Sequence, residues 1–233
     1  MITQLYTMQA VEEALACGDA GVDHLGLTPA QGGLPGEIPV ELVRRIIDAV
    51  GARARCLVLT VSTDPVAIAE LVEATRPAIL HLCPLADTTS PELVAAIRLR
   101  IPRLAVMQAV SVTGPESVPV AQAYAEVADY LILDTQAPGI PGVGASGATH
   151  DWSVSREIVR TVGVPVILAG GLSPENVAQA IRVVRPWGVD SLTHTNAPLP
   201  GGGFRKDLTR VGAFVAAART ALDDAPAQPA DLD

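Results

Sequence analysis

The feature that most constrains this chain is an alternation: eight short β-rich apolar runs, each followed by a segment whose apolar residues recur at helical spacing. The runs are "ITQLY", "VDHLGL", "ARCLVLTV", "AILHL", "LAVMQAV", "DYLILD", "VPVILAG" and "GVDSLTHT". Most are continuously apolar, the pattern of strands covered on both faces. Between them lie patterns such as "PVELVRRIIDAVG" and "SPENVAQAIRVVR", and the last is "KDLTRVGAFVAAARTAL". Ser90-Pro91 and Ser173-Pro174 each set a capping hydroxyl before a proline at a first helical position, and Gly51 and Gly163 follow helices. Eight βα units in succession predict an α/β fold, a single (β/α)8 TIM barrel with a parallel eight-stranded core, over residues 1–222. The remaining "DDAPAQPADLD", residues 223–233, has no periodicity and reads as a disordered acidic tail.

Length and composition fit one large core. The chain has 233 residues, and such a barrel commonly takes roughly 200–250. Hydrophobic residues make up 49% but aromatics only 3%, so the core is to be built from Val, Ile, Leu and Ala. No apolar run approaches the roughly 18 residues of a membrane span, and the first residues lack a basic segment leading into an apolar signal core. A soluble, cytoplasmic protein with no membrane partner is expected. A net charge of −9 argues against a nucleic-acid surface. Cys17, Cys56 and Cys83 show no metal-ligand spacing, so reduced structural thiols, no metal and no cofactor are expected.

In such a barrel the chemistry belongs at the C-terminal ends of the strands. The stretch "LILDTQAPGIPGVGASGATHDW", residues 131–152, ends an apolar run on Asp134 and continues into a glycine- and proline-rich loop. Asp134 is therefore either a reactive carboxyl at the rim or a brace for loop amides. After the seventh strand, "LAGGL" supplies Gly170 and Gly171, and after the eighth come Thr193, Thr195 and Asn196. Loops at these two positions are the usual phosphate cradle, although a glycine pair also serves a plain tight turn. His194 is a candidate for proton transfer or anion binding, with a solvated loop histidine as the alternative. Tyr6 either presents its hydroxyl to a substrate or packs with that hydroxyl on a neighbour. His81 and Cys83 share one strand face, where a satisfied interior histidine is favoured over a metal ligand. His24 and His150 receive no role.

The segments "AGVDHLGL" at 20–27, "LILDT" at 131–135, "GASGATHDW" at 144–152, "LAGGLSPENV" at 168–177, "GVDS" at 188–191 and "KD" at 206–207 occur in one order and spacing. Through them, over most of its length, the chain resembles the phosphoribosylanthranilate isomerase family. The resemblance implies an Amadori rearrangement, in tryptophan biosynthesis, of an N-linked ribosylamine phosphate into an amino-ketose. It implies that Asp134 is the general acid that protonates the ribose ring oxygen. It also implies that Gly170 and Gly171 hold the substrate phosphate, with Gly144, Ser146 and Gly147 in the substrate loop. The partner is then a phosphorylated small molecule, and the protein a monomer or homodimer.

Several family positions are changed. The strand-one Lys-Ile-Cys-Gly, whose cysteine is the family's general base, is here Gln4-Leu5-Tyr6-Thr7, and a phenol with a pKa of about 10 is a poor base. The Ser-Pro-Arg after strand two aligns with Leu34-Pro35-Gly36, which removes the guanidinium that pairs with the anthranilate carboxylate. The strand-four Gln-Leu-His-Gly is His81-Leu82-Cys83-Pro84, the strand-five lysine is Gln108, and the Ser-Ser-Gly after strand eight is Leu192-Thr193-His194. Three readings stay open. These losses favour a divergent aldose-ketose isomerase acting on a related phosphosugar or amino-sugar. The second is phosphoribosylanthranilate isomerase with a compensating base, and the third a non-catalytic ligand-binding barrel. On the first reading the family reaction is expected to run poorly or not at all, with Tyr6→Cys and Gly36→Arg together restoring a trace.

Overall fold

In the computed structural model, which describes residues 1–31, 33–83, 88–135, 147 and 149–223, the eight apolar runs form eight strands. They are β1 (Ile2–Leu5), β2 (His24–Leu27), β3 (Arg55–Thr60), β4 (Ile79–Leu82), β5 (Ala105–Ser111), β6 (Tyr130–Asp134), β7 (Val166–Leu168) and β8 (Gly188–Ser191). Each pairs in parallel with the next, and β8 pairs back onto β1 with Gln4 opposite Asp190, closing the barrel. The surrounding helices are α1 (Val11–Asp19), α2 (Val40–Val50), α3 (Pro65–Thr75), α4 (Pro91–Arg100), α5 (Ser117–Ala125), α6 (Trp152–Thr161), α7 (Val177–Val184) and α8 (Leu208–Asp223).

The strands are mostly apolar because both faces are covered, and side-chain parity sorts their apolar residues into two cores. Leu5, Leu131, Leu133 and Val189 face outward and pack under the helices. Leu57, Ile79, Met107, Ile132 and Ile167 fill the interior. Because successive strand residues alternate faces, Asp134 follows Ile132 inward on β6, and Asp190 is inward next to outward Val189 on β8. Gln4 and Tyr6 are inward on β1 by the same count. Among the described residues no helix is long and apolar enough to cross a membrane. Cys17, Cys56 and Cys83 are buried and free, and burial pushes the Cys17 and Cys56 thiols up to about 12.

Four boundaries differ from the sequence expectation. Ser90 caps α4 ahead of Pro91 as expected, but α7 begins only at Val177, because Ser173 to Asn176 form a turn closed by Asn176 Oδ1 accepting from the Ser173 amide at 2.8 Å. The run "GVDSLTHT" leaves the barrel after Ser191 as a short 3-10 turn, Thr193–Thr195. A hairpin then follows, β9 (Asn196–Pro198) with β10 (Phe204–Lys206). The last helix therefore starts at Leu208 rather than Lys206, since the Lys206 ammonium turns inward to the Tyr6 carbonyl, Thr195 Oγ1 and Asn196 Oδ1. Asp207 Oδ1 takes over the capping, accepting from the amides of Thr209 and Arg210. α8 runs to Asp223, one residue past the expected limit, and the rest of the tail, residues 224–233, lies outside the described residues.

Gly26, inward on β2, gives the interior packing a direct test. A Cβ there would overlap the ring of Tyr6, and neither a strand backbone nor a buried ring can move away cheaply. Gly26→Ala is expected to lower the unfolding free energy by on the order of 3 kcal/mol in urea titrations. A variant as stable as the parent would contradict this placement of Tyr6.

Candidate active site

The inward ends of β6, β7 and β8 meet in one recess at the C-terminal mouth, lined by Asp134, Gly147, Gly170, Gly171, Asp190 and His194, with Leu192 and Thr193 on its rim. Its chemistry comes from two carboxyls. Burial pushes Asp134 up to about 7, opposed in part by the Thr135 amide, which donates to Asp134 Oδ1 at 2.7 Å. Asp190 is raised further, to about 8, first by burial and then by the negative charge of Asp134. The Gln4 amide and the Lys206 ammonium pull it partway back. Repulsion between two such groups is mutual, so they titrate as a pair, and around neutral pH one of them keeps its proton.

The glycine wall is held from behind. Gly170 and Gly171 have φ of 81° and 61°, a region open to glycine. The position a Gly170 Cβ would take is 2.5 Å from Thr135 Oγ1 and 2.9 Å from His150 Nδ1. His150 bridges Thr135 Oγ1 at 3.1 Å and Ser155 Oγ at 2.7 Å, and burial lowers its pKa to about 4, so it is a neutral brace. Asn176 Nδ2 donates to the Gly171 carbonyl at 3.0 Å, fixing the second glycine. Sequence reasoning left His150 and Asn176 without a role. What could have found them is that each sits within a matched segment, a few residues from a wall glycine or from Asp134.

The other expected residues divide. Gly147 and Thr193 line the recess, while Gly144 and Ser146 lie outside the described residues. His194 also lines it, but its Nε2 is engaged with the Gly147 carbonyl at 3.1 Å, so this ring clamps the β6–α6 loop. Thr195 and Asn196 were expected in the phosphate cradle and are not in the recess. Thr195 is fully buried, donating to the Leu192 carbonyl at 3.1 Å, and Asn196 Oδ1 accepts from Lys206 Nζ at 2.7 Å. Both position Lys206.

Tyr6 needs the largest correction. It is only 5% exposed, and its hydroxyl is hydrogen-bonded to His81 Nδ1 at 2.8 Å, below the recess rather than on its wall. Burial raises the phenol pKa well above its ordinary value, with Asp190 and Cys83 adding to the effect. His81 is pushed down to about 3 by burial. The pair is neutral, so Tyr6 offers no base to the recess. Position 36 likewise has no room for a side chain. Gly36 has φ 72°, and a Cβ there would overlap Thr7 Cγ2 and lie 2.9 Å from Phe204 Cζ. Among the described residues no three His, Cys, Asp or Glu side chains converge as a metal would require.

A groove of about 360 Å3 adjoins the recess and shares Leu192 and Thr193 with it; Pro35, Pro198 and Phe204 make it largely apolar. A wider hollow of about 500 Å3 lies at the opposite end, around His24, Arg53 and Arg76, on the face that in this fold serves stability rather than chemistry.

A family model described as N-(5'phosphoribosyl)anthranilate (PRA) isomerase matches residues 90–192. The N-(5'-phosphoribosyl)anthranilate isomerase of Azorhizobium caulinodans is 37% identical over 232 residues, covering 99% of this chain and 95% of that protein. That of Methanocella arvoryzae is 34% identical over 205 residues, 88% of this chain and 91% of the relative. The chain belongs to the phosphoribosylanthranilate isomerase family. Among solved structures, the phosphoribosylanthranilate isomerase of Thermotoga maritima superposes with a TM-score of 0.79 at 27% identity, covering 94% of this chain and all of the other. A phosphoribosylanthranilate isomerase in complex with reduced 1-(o-carboxyphenylamino)-1-deoxyribulose 5-phosphate gives 0.77 at 25% identity, with 94% and 100% covered. Within the phosphoribosylanthranilate isomerase fold this chain places Asp134 at the end of β6, Gly170 and Gly171 after β7, and a buried tyrosine after β1.

Proposed function

We propose that this chain isomerises N-(5'-phosphoribosyl)anthranilate to the corresponding 1-amino-1-deoxyribulose 5-phosphate. The observation that carries the reading is a carboxyl group at the end of β6 that keeps its proton to about pH 7 and faces a glycine-walled recess. A neutral acid is what opening the furanose requires, since the ring oxygen leaves only as it is protonated. The glycine wall suits the 5-phosphate, because backbone amides approach an anion closely where no Cβ intervenes. The adjoining apolar groove suits the aromatic amine. Relatives 34–37% identical over nearly the whole chain support this substrate. A divergent sugar isomerase rested on the changed base, anthranilate-anchor and phosphate-cradle positions, and the relatives named above favour the ordinary isomerase instead.

Purified protein given N-(5'-phosphoribosyl)anthranilate is expected to form the amino-ketose and to rescue a strain lacking this isomerase. Failure on this substrate together with turnover of another N-substituted ribosylamine phosphate would restore the divergent reading. Inorganic phosphate is also expected to stabilise the fold, by about 2.7 kcal/mol at 100 times its Kd. A melting midpoint unmoved by high phosphate would argue against the glycine wall as its site.

A further inference from the structure

We propose that Asp190, at the end of β8, is the base that removes the C2 proton, so that two carboxyls divide the acid and base work which the family otherwise gives to a carboxyl and a thiol. The inference rests on the isomerase reading above and supplies its missing group.

The argument begins with position. The β1 site of the family's cysteine is filled by Tyr6, whose hydroxyl is spent on His81. A replacement base must reach the same substrate face, and β8 is the strand paired with β1, Gln4 lying opposite Asp190. Asp190 points inward and lines the same recess as Asp134 and the two glycines. It is only 6% exposed; the Gln4 amide beside it lowers its pKa, yet neither Asp190 Oδ1 nor Gln4 Nε2 has a partner within hydrogen-bonding distance. A buried carboxylate oxygen whose nearest donor stays that far off is left to be completed by a ligand in the recess. The charged and titratable groups that act on it are Asp134 from β6, Lys206 from β10 and the neutral Tyr6 from β1, with His194 on the same wall. Asp134 disfavours its ionisation and Lys206 favours it.

The chemistry balances without an external oxidant or reductant. Asp134 gives its proton to the ring oxygen as the C1–O bond breaks, and the nitrogen lone pair forms the C1=N iminium. Ionised Asp190 takes the C2 proton; the C–H pair becomes C1=C2 and the C=N pair returns to nitrogen, giving the enaminol. Asp190 then returns its proton to C1, and Asp134 takes the proton from the C2 hydroxyl as the ketone forms. The ring oxygen and C1 have each gained a proton, C2 and its hydroxyl have each lost one, and both carboxyls are restored. The reaction runs from the microstate that has the shared proton on Asp134; Lys206 and Gln4 favour it, against the burial that makes Asp190 the weaker acid of the pair.

The test uses the full chain and N-(5'-phosphoribosyl)anthranilate. Asp190→Asn is expected to lower kcat by about 10²–10⁴-fold with KM changed by less than about threefold. Wild type should show a primary isotope effect with substrate deuterated at C2. Asp190→Ala should regain part of the rate with added formate, a response that a purely structural role would not give and that remains readable if the asparagine variant misfolds. Tyr6→Phe should retain the wild-type rate within about tenfold. Near-wild-type kcat in folded Asp190→Asn, absence of formate rescue in folded Asp190→Ala, or a 100-fold loss in Tyr6→Phe would overturn the assignment while leaving the isomerase reading intact. Inactivity of the wild type itself would remove both.

Discussion

Asp134→Asn is expected to abolish most turnover and, at pH 8, to make the protein more stable. The rate falls because an amide cannot protonate the ring oxygen, a loss of about 10²–10⁴-fold. The gain follows from linkage. Asp134 has a folded pKa of about 7, against about 3.9 unfolded. A raised folded value means the fold favours the protonated form. Its contribution is fully present below the unfolded value and is lost as pH rises through 7. Asparagine never ionises, so it avoids that loss and also relieves the repulsion of Asp190. Because Asp134 is partly exposed, the gain at pH 8 is expected at about 2 kcal/mol, less than the full shift implies at about 1.4 kcal/mol per unit. Near pH 4 the advantage should vanish. Urea titrations of variant and wild type at both pH values read it directly, and their difference cancels the buried histidines, whose lowered pKa values act in the opposite sense. A variant less stable than wild type at pH 8 would contradict the environment assigned to Asp134.

Lys206→Met removes a charge nearby and is expected to do the reverse. Methionine keeps an apolar stem of similar length but leaves the Tyr6 carbonyl, Thr195 Oγ1 and Asn196 Oδ1 without their shared donor. Stranding a buried acceptor costs about 1–3 kcal/mol, so a loss of about 3–5 kcal/mol is expected even with some relaxation. Lys206 also helps to hold Asp190 ionised; its removal should shift the acid limb of the pH–rate profile to higher pH. Denaturation midpoints and that profile check the two effects separately. Unchanged stability would show that the three acceptors find partners elsewhere.

The contrast shows which parts of the molecule were legible in the sequence. The barrel was, because both faces of each strand are covered and eight mostly apolar runs alternating with helical patterns leave few other architectures. Asp134 was legible because it closes one of those runs, and parity from Ile132 turns it inward. Asp190 carried the same signal, an acid next to outward-facing Val189, yet the segment "GVDS" counted only as part of a resemblance. Tyr6 was named among the candidate catalytic residues although its phenol made a poor base. Its hydrogen bond to His81 spans 75 positions, and pairings across a barrel leave no local trace. Gly36 looked like a deleted arginine in one dimension, whereas its φ and the crowding by Thr7 and Phe204 show a backbone that accepts no side chain. Lys206 looked like the start of a helix because nothing in its neighbours announces a partner on β1.

The pairing of β1 with β8 also sets a timetable. The first strand leaves the ribosome with one hydrogen-bonding edge to be met by β2 and another that finds its partner only when residues 188–191 arrive. At typical synthesis rates of about 5–20 residues per second, that wait is on the order of 10–40 s. Throughout it β1 offers an open edge on which another nascent chain can template, and the Tyr6 carbonyl waits longer still, for Lys206. Asp190 reaches its place in the same closing event. A chain released early would therefore carry both an aggregation-prone edge and an incomplete carboxyl pair, which ties the quality control of this protein to the completion of its chemistry.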